Sequence, residues 1–181
     1  YPSSDYSAIS SYMLGWSEFK RERYFPAVKA FGLVLDKYLG DHAWAKGTLP
    51  FIPELKVGEQ RLVKDSLRIM SLVFSYGGEF ASGEQSLLAY IDKVGARHYD
   101  HQLFDSLAQL QLNNDRFKDS AAVYLAYAKR YSAHPKAPTF YVKHIDAFIL
   151  GKFPSLVMPA KQGFVELFGV NGEIWPNNYI Q

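Results

Sequence analysis

The chain of 181 residues has no cysteine, which excludes disulfides, thiolate metal sites and cysteine nucleophiles together. That absence suits cytosol and periplasm alike and argues against a small disulfide-stapled secreted scaffold. No apolar run approaches the roughly 18–20 residues a spanning helix needs, so no part of the segment is expected to insert into a membrane. Nor is there a block of basic residues. The densest stretch, Lys20-Arg21-Glu22-Arg23, is interrupted by an acid, and the net charge is only +2, so nucleic acid is not an expected partner. No serine stands in a Gly-x-Ser-x-Gly setting, and Gly77-Gly78 lacks the strand and the lysine of a phosphate loop. No cofactor is therefore expected.

What the chain does contain is a pattern written four times. Leu14-Gly15 followed by Tyr24, Ala27, Phe31 and Val34 is one copy, and Met70-Ser71 with Phe80, Gly83, Leu87 and Tyr90 is a second. Leu107-Ala108 with Phe117, Ser120, Tyr124 and Tyr127 is a third, and Lys143-His144 with Phe153, Leu156, Ala160 and Phe164 is a blurred fourth. The aromatic opening each second half stands at 24, 80, 117 and 153, so the last two steps are 37 and 36 residues. Periods of that size signify stacked supersecondary units.

Within each copy the apolar spacing is helical, as in Ile9, Tyr12, Met13, Trp16 and Phe19, or Val123, Tyr124, Tyr127 and Tyr131. Two such halves with a short polar break describe an antiparallel helix pair. Ser3, Ser4, Asp5, Ser82 and Asp100 read as helix caps, while Gly77-Gly78, Asn113-Asn114-Asp115 and Gly151 fall at reversals. About 20 extra residues follow the first pair. This insert holds Asp41, His42, Trp44 and Leu49-Pro50-Phe51-Ile52-Pro53, and its prolines favour an extended arm that either covers the helices or binds a partner. Tyr1-Pro2 precedes the first copy much as Tyr131 to Pro135 precedes the fourth, which predicts an earlier repeat in a longer parent protein.

The pattern resembles the tetratricopeptide repeat: a large-then-small pair in the first helix, and an aromatic, a small residue and a second aromatic in the other. Leu14-Gly15 with Tyr24, Ala27 and Phe31, and Leu107-Ala108 with Phe117, Ser120 and Tyr124, carry the likeness. The fourth copy departs, with His144 and Leu156 at small-residue positions, as a terminal capping pair would. The resemblance implies an all-α, right-handed α-solenoid of about four helix-turn-helix repeats in a single domain over 1–181. The repeats fall at about 5–38, 61–96, 100–133 and 138–169, with the insert at 39–60 and an irregular tail at 170–181. Leu14-Gly15-Trp16-Ser17-x-Phe19-Lys20 and the 131–138 link are also similar to repeat proteins of the Gram-negative cell envelope, the Tol–Pal coordinator and outer-membrane assembly lipoproteins among them. That implies a periplasmic or envelope location in preference to the cytoplasm.

In that family the first helices line a concave face on which partner peptides lie. The transferred positions are Tyr12, Trp16, Phe19 and Lys20, then Asp65, Arg68, Leu72 and Tyr76, then Gln102, Asp105, Gln109 and Asn113. Tyr12 and Trp16 replace the first Lys and Asn of the family's carboxylate clamp, so a peptide with apolar side chains is the better fit. The expected function is a non-catalytic scaffold for a protein or peptide. The alternatives are self-association through the first copy and a hydrolase or metal site at His98-x-x-His101. The latter is weakened because Asp100 reads as the helix cap there. Equally, Trp16 and Phe19 could pack against a lost upstream repeat, and His144 reads as a hydrogen-bonded packing residue.

Overall fold

A computed structural model of the chain describes residues 5–40, 55–76, 83–170 and 172. Among these the fold is all helical, with eight helices and no strand. They are α1 (Asp5–Lys20), α2 (Tyr24–Leu39), α3 (Val57–Tyr76), α4 (Glu84–Val94), α5 (Asp100–Asn113), α6 (Phe117–Arg130), α7 (Ala137–Leu150) and α8 (Pro154–Phe168). The chain divides into two compact units, Tyr1–Ser106 and Leu107–Gln181.

In the first unit α1 packs on α2, α2 on α3, and α3 on α4. The α1–α2 contact is built on Gly15, where an added Cβ would stand 2.8 Å from the Phe31 ring. Phe31 is fully buried, and the edges of Tyr12 and Trp16 meet it at centroid distances of 5.8 and 6.2 Å. The small residue thus lets the two backbones approach, and the ring fills the space beside them. Ser71, the small residue of the second copy, bonds through its hydroxyl to the Leu67 carbonyl and to Ser106 Oγ.

In the second unit α6 packs on α7 and α7 on α8. Tyr124 and Tyr127 are buried against Phe140, with Tyr127 and Phe140 only 4.0 Å apart at their centroids. Ala108 and Ser120 are wholly buried, as the third copy's small positions require. His144 is buried too; its Nδ1 lies 2.9 Å from the Ala121 carbonyl, and its ring meets Tyr141 and Phe148 edge-on.

Three hairpins close on the same turn. Glu22, Asp115 and Lys152 take φ of 59°, 57° and 58°. At each turn, the next amide reaches back five residues, Arg23 to the Glu18 carbonyl, Arg116 to Gln111 and Phe153 to Phe148. This is the Schellman motif, with a side chain in place of the usual glycine. Asp115 and Lys152 are 37 residues apart, so the backbone repeats with that period.

This register corrects the fourth copy by one residue. Phe153 is the residue before α8 and Pro154 opens the helix, whereas Tyr24 and Phe117 are themselves first helical residues. Proline at N1 forfeits no helical hydrogen bond. Buried Leu103, Phe104, Leu107 and Ala108 then recur as Phe140, Tyr141, His144 and Ile145. His144 accordingly occupies the large position, and Ile145 the small one.

Two boundaries also move. The helix expected from 61 begins at Val57, because Glu59 Oε2 accepts the Lys56 amide and the Gln60 side chain donates to the Leu55 carbonyl. Asp100 lies within the first turn of α5 instead of capping it, and its carboxylate reaches back to the Arg97 amide at 3.0 Å. Most of the insert, 41–54, lies outside the described residues, as do Ser3, Ser4, Gly77-Gly78, Phe80, Ser82 and nearly all of the tail.

Candidate functional site

The transferred first-helix positions separate into three groups. Tyr12, Asp65 and Arg68 form one constellation where α1 meets α3. The Tyr12 hydroxyl donates to Asp65 Oδ2 at 2.6 Å. One turn along α3, Arg68 donates through Nε and Nη2 to Asp65 Oδ1, at 3.0 and 2.7 Å. Burial alone would raise the Asp65 carboxyl, but the bonds from Tyr12 and Arg68 outweigh it and hold the group below the usual carboxylate range. Burial and the bond to Asp65 push Tyr12 upward. A cleft of about 710 Å³ opens here, with Arg61, Leu62 and Lys64 joining its walls.

Trp16 and Phe19 belong to a second group, an edge-to-face chain of rings that meets the first where Trp16 stands 6.4 Å from Tyr12. Trp16 lies 5.8 Å from Phe19, and Phe19 6.0 Å from Tyr24. Both are half-buried, and Trp16 supports the α1–α2 contact through the Phe31 ring. The remaining positions do not converge on the Tyr12 cluster within the first unit: Lys20 is exposed, Leu72 half-buried, and Tyr76 exposed at 77%. In the second unit, Gln109 Nε2 donates to the Tyr124 hydroxyl within its own hairpin at 2.9 Å, and Asn113 is exposed.

A second cleft lies outside the transferred groove positions, which come only from the first helix of each pair; of its lining, Tyr90 alone belongs to the repeat pattern. It lies between α2 and α4, has a volume of about 510 Å³, and is lined in part by Phe25, Lys29, Gly32, Tyr90, Lys93 and Arg97. Beside it, Asp36 Oδ1 accepts both the Tyr99 hydroxyl at 2.6 Å and Arg97 Nε at 3.0 Å. Burial, and then the Asp36 charge, drive the Tyr99 and Tyr90 phenols far above their ordinary value. Burial works against the Arg97 charge, but Asp36 prevails and raises its pKa. Part of the signal was present as helical spacing: Phe25, Lys29, Gly32 and Asp36 on one helix, and Tyr90 and Lys93 on the other, with Arg97 just beyond its end.

His98 is exposed, while His101 is buried with its Nδ1 3.1 Å from the His98 carbonyl. The two imidazoles therefore occupy different surroundings. No group of three or more His, Cys, Asp or Glu suited to a metal occurs among the described residues. No described helix is long and apolar enough to cross a membrane. Compared with known proteins, the chain matches no family model, no curated protein and no solved structure.

Proposed function

We propose that this protein is a non-catalytic scaffold of tetratricopeptide-like repeats, arranged as a right-handed solenoid, that holds a peptide or partner protein on the face formed by its first helices. The observation that carries the reading is the Tyr12–Asp65–Arg68 constellation. Two helices 53 residues apart in sequence at these positions present a fixed phenol, a fixed carboxylate and a half-exposed guanidinium beside an apolar cleft. Interfaces draw their affinity from such aromatic and arginine anchors, held in place before the partner arrives. An envelope location belongs to this proposal through the sequence likeness of the Leu14–Lys20 and 131–138 stretches.

The test is affinity capture from lysate of the source cells, followed by capture on an array of peptides from any retained protein. Wild type is run beside an Arg68→Glu/Tyr76→Ala variant whose helicity and melting temperature match. Tyr76 and Arg68 are chosen because both are exposed, whereas Trp16 braces Phe31. A partner peptide held by wild type and lost in the variant supports the groove; one held equally by both removes it.

Self-association is the second reading, favoured by one observation. Tyr6, Ile9, Met13 and Leu14 are all exposed along one stripe of α1, at spacings that share a helical face. Sedimentation equilibrium of wild type against Met13→Lys/Leu14→Lys decides it: a concentration-dependent mass must vanish in the variant.

A further inference from the structure

We propose that the cleft between α2 and α4 binds a small organic anion, a carboxylate or phosphate head carried on an aromatic body. The inference concerns the second helices and stands apart from the first-helix groove. At about 510 Å³ the cleft is of ligand size, since small-molecule sites occupy roughly 300–1,000 Å³.

Among the described residues that line it, Lys29, Lys93 and Arg97 stand with one carboxylate, Asp36, and that carboxylate is engaged by Tyr99 and Arg97. Arg97 is fixed in place before any ligand arrives. Its Nε is held by Asp36 and its Nη1 by the carbonyls of Val94, Gly95 and Ala96, leaving Nη2 unused by these bonds. A guanidinium immobilised in this way loses little freedom on meeting an anion. Lys29 and Lys93, one from each helix, are both exposed, and Lys93 Nζ stands 4.8 Å above the Phe25 ring.

The apolar half of the site is equally defined. Phe25 and Tyr90 meet edge-on with centroids 6.4 Å apart. Tyr90 comes close enough to α2 that a Cβ at position 32 would collide with its hydroxyl. Glycine within a helix is costly relative to alanine, and here it admits the ring that floors the cleft. Rings below and cations around them suit an aromatic body with an anionic head.

The experiment titrates the ¹⁵N-labelled full chain with phenyl phosphate, benzoate, inorganic phosphate and phenol. Saturable shifts confined to amides of 25–36 and 90–97 are expected with phenyl phosphate, benzoate or both, and the stronger of the two identifies the head group. Lys29→Gln/Lys93→Gln should weaken that binding by about tenfold, while Lys161→Gln on α8, which lines neither cleft, leaves it unchanged. Absence of saturation with either aromatic anion up to about 10 mM in wild type overturns the proposal whatever the variants do. It is likewise overturned if phenol or inorganic phosphate binds as tightly as the aromatic anions, or if shifts persist undiminished in a folded Lys29→Gln single variant and in the double variant.

Discussion

Tyr99 and Asp36, 63 residues apart in sequence, share a 2.6 Å hydrogen bond in which the phenol donates to Oδ1. Tyr99 is 3% exposed, and the bond ties the segment before α5 to the last turn of α2. Arg97 Nε donates to the same oxygen at 3.0 Å. A hydrogen bond to an ionised partner contributes more than one between neutral groups. Tyr99→Phe keeps the ring and removes the donor, so unfolding free energy should fall by roughly 1–3 kcal/mol, read from urea denaturation. An unchanged midpoint would mean that water replaces the phenol.

Gly15 and Gly58 make a matched pair of probes. Both are helical, but a Cβ at 15 would press on the buried Phe31 ring at 2.8 Å, whereas one at 58 meets nothing within 4 Å. Gly15→Ala should destabilise by about 1–3 kcal/mol through overpacking, less whatever the better helix propensity returns. Gly58→Ala should be neutral or stabilising by up to about 1 kcal/mol. Thermal melts of the two variants check the contrast, which fails if both move in the same direction.

The three Schellman turns carry strain that glycine would relieve. A left-handed conformation costs an ordinary L-residue roughly 1–2 kcal/mol, and the larger unfolded-state freedom of glycine takes back part of the gain. Glu22→Gly and Lys152→Gly should each stabilise by about 0.5 kcal/mol. Asp115→Gly should gain less, since aspartate tolerates this region better. Chemical denaturation of the three variants gives the ranking directly.

Two histidines give the fold a dependence on pH. Burial lowers the His144 pKa, partly opposed by its bond to the Ala121 carbonyl and assisted by Lys129. Burial and then Lys136 lower His134, whose Nδ1 accepts the Lys136 amide at 3.1 Å and so must be unprotonated. In both cases the folded value lies below the unfolded one of about 6.5, so the unfolded chain binds more protons as pH falls. This contribution is complete above about pH 6.5 and is lost as pH drops through the lower folded values. The urea midpoint should therefore fall between pH 7 and pH 5 more steeply in wild type than in a His134→Asn/His144→Asn variant. Parallel pH profiles would remove these histidines as the cause.

The helical period, the pairing of helices and the small-against-aromatic contact of Gly15 and Phe31 were all legible in the amino-acid order. They depend on residues a few positions apart, or on a contact whose two partners sit within one hairpin. The first-helix reading also brought Tyr12, Asp65 and Arg68 into view, though not the bonds that join them. Those groove positions missed the α2–α4 cleft because they come from the first helix of each pair, although Lys29, Gly32 and Asp36 were spaced as a single face.

Sequence alone thus determined that the described residues are helical and placed reversals at Asn113 to Asp115 and at Gly151, because periodicity and turn chemistry act locally. Only the tertiary structure decided that the fourth copy is offset by one residue, since Pro154 can open a helix without losing a bond, and that Trp16 braces the buried Phe31 ring. It alone placed Asp36 between Tyr99 and Arg97. Such meetings across more than 60 residues depend on how helices pack, which spacing along one helix does not encode.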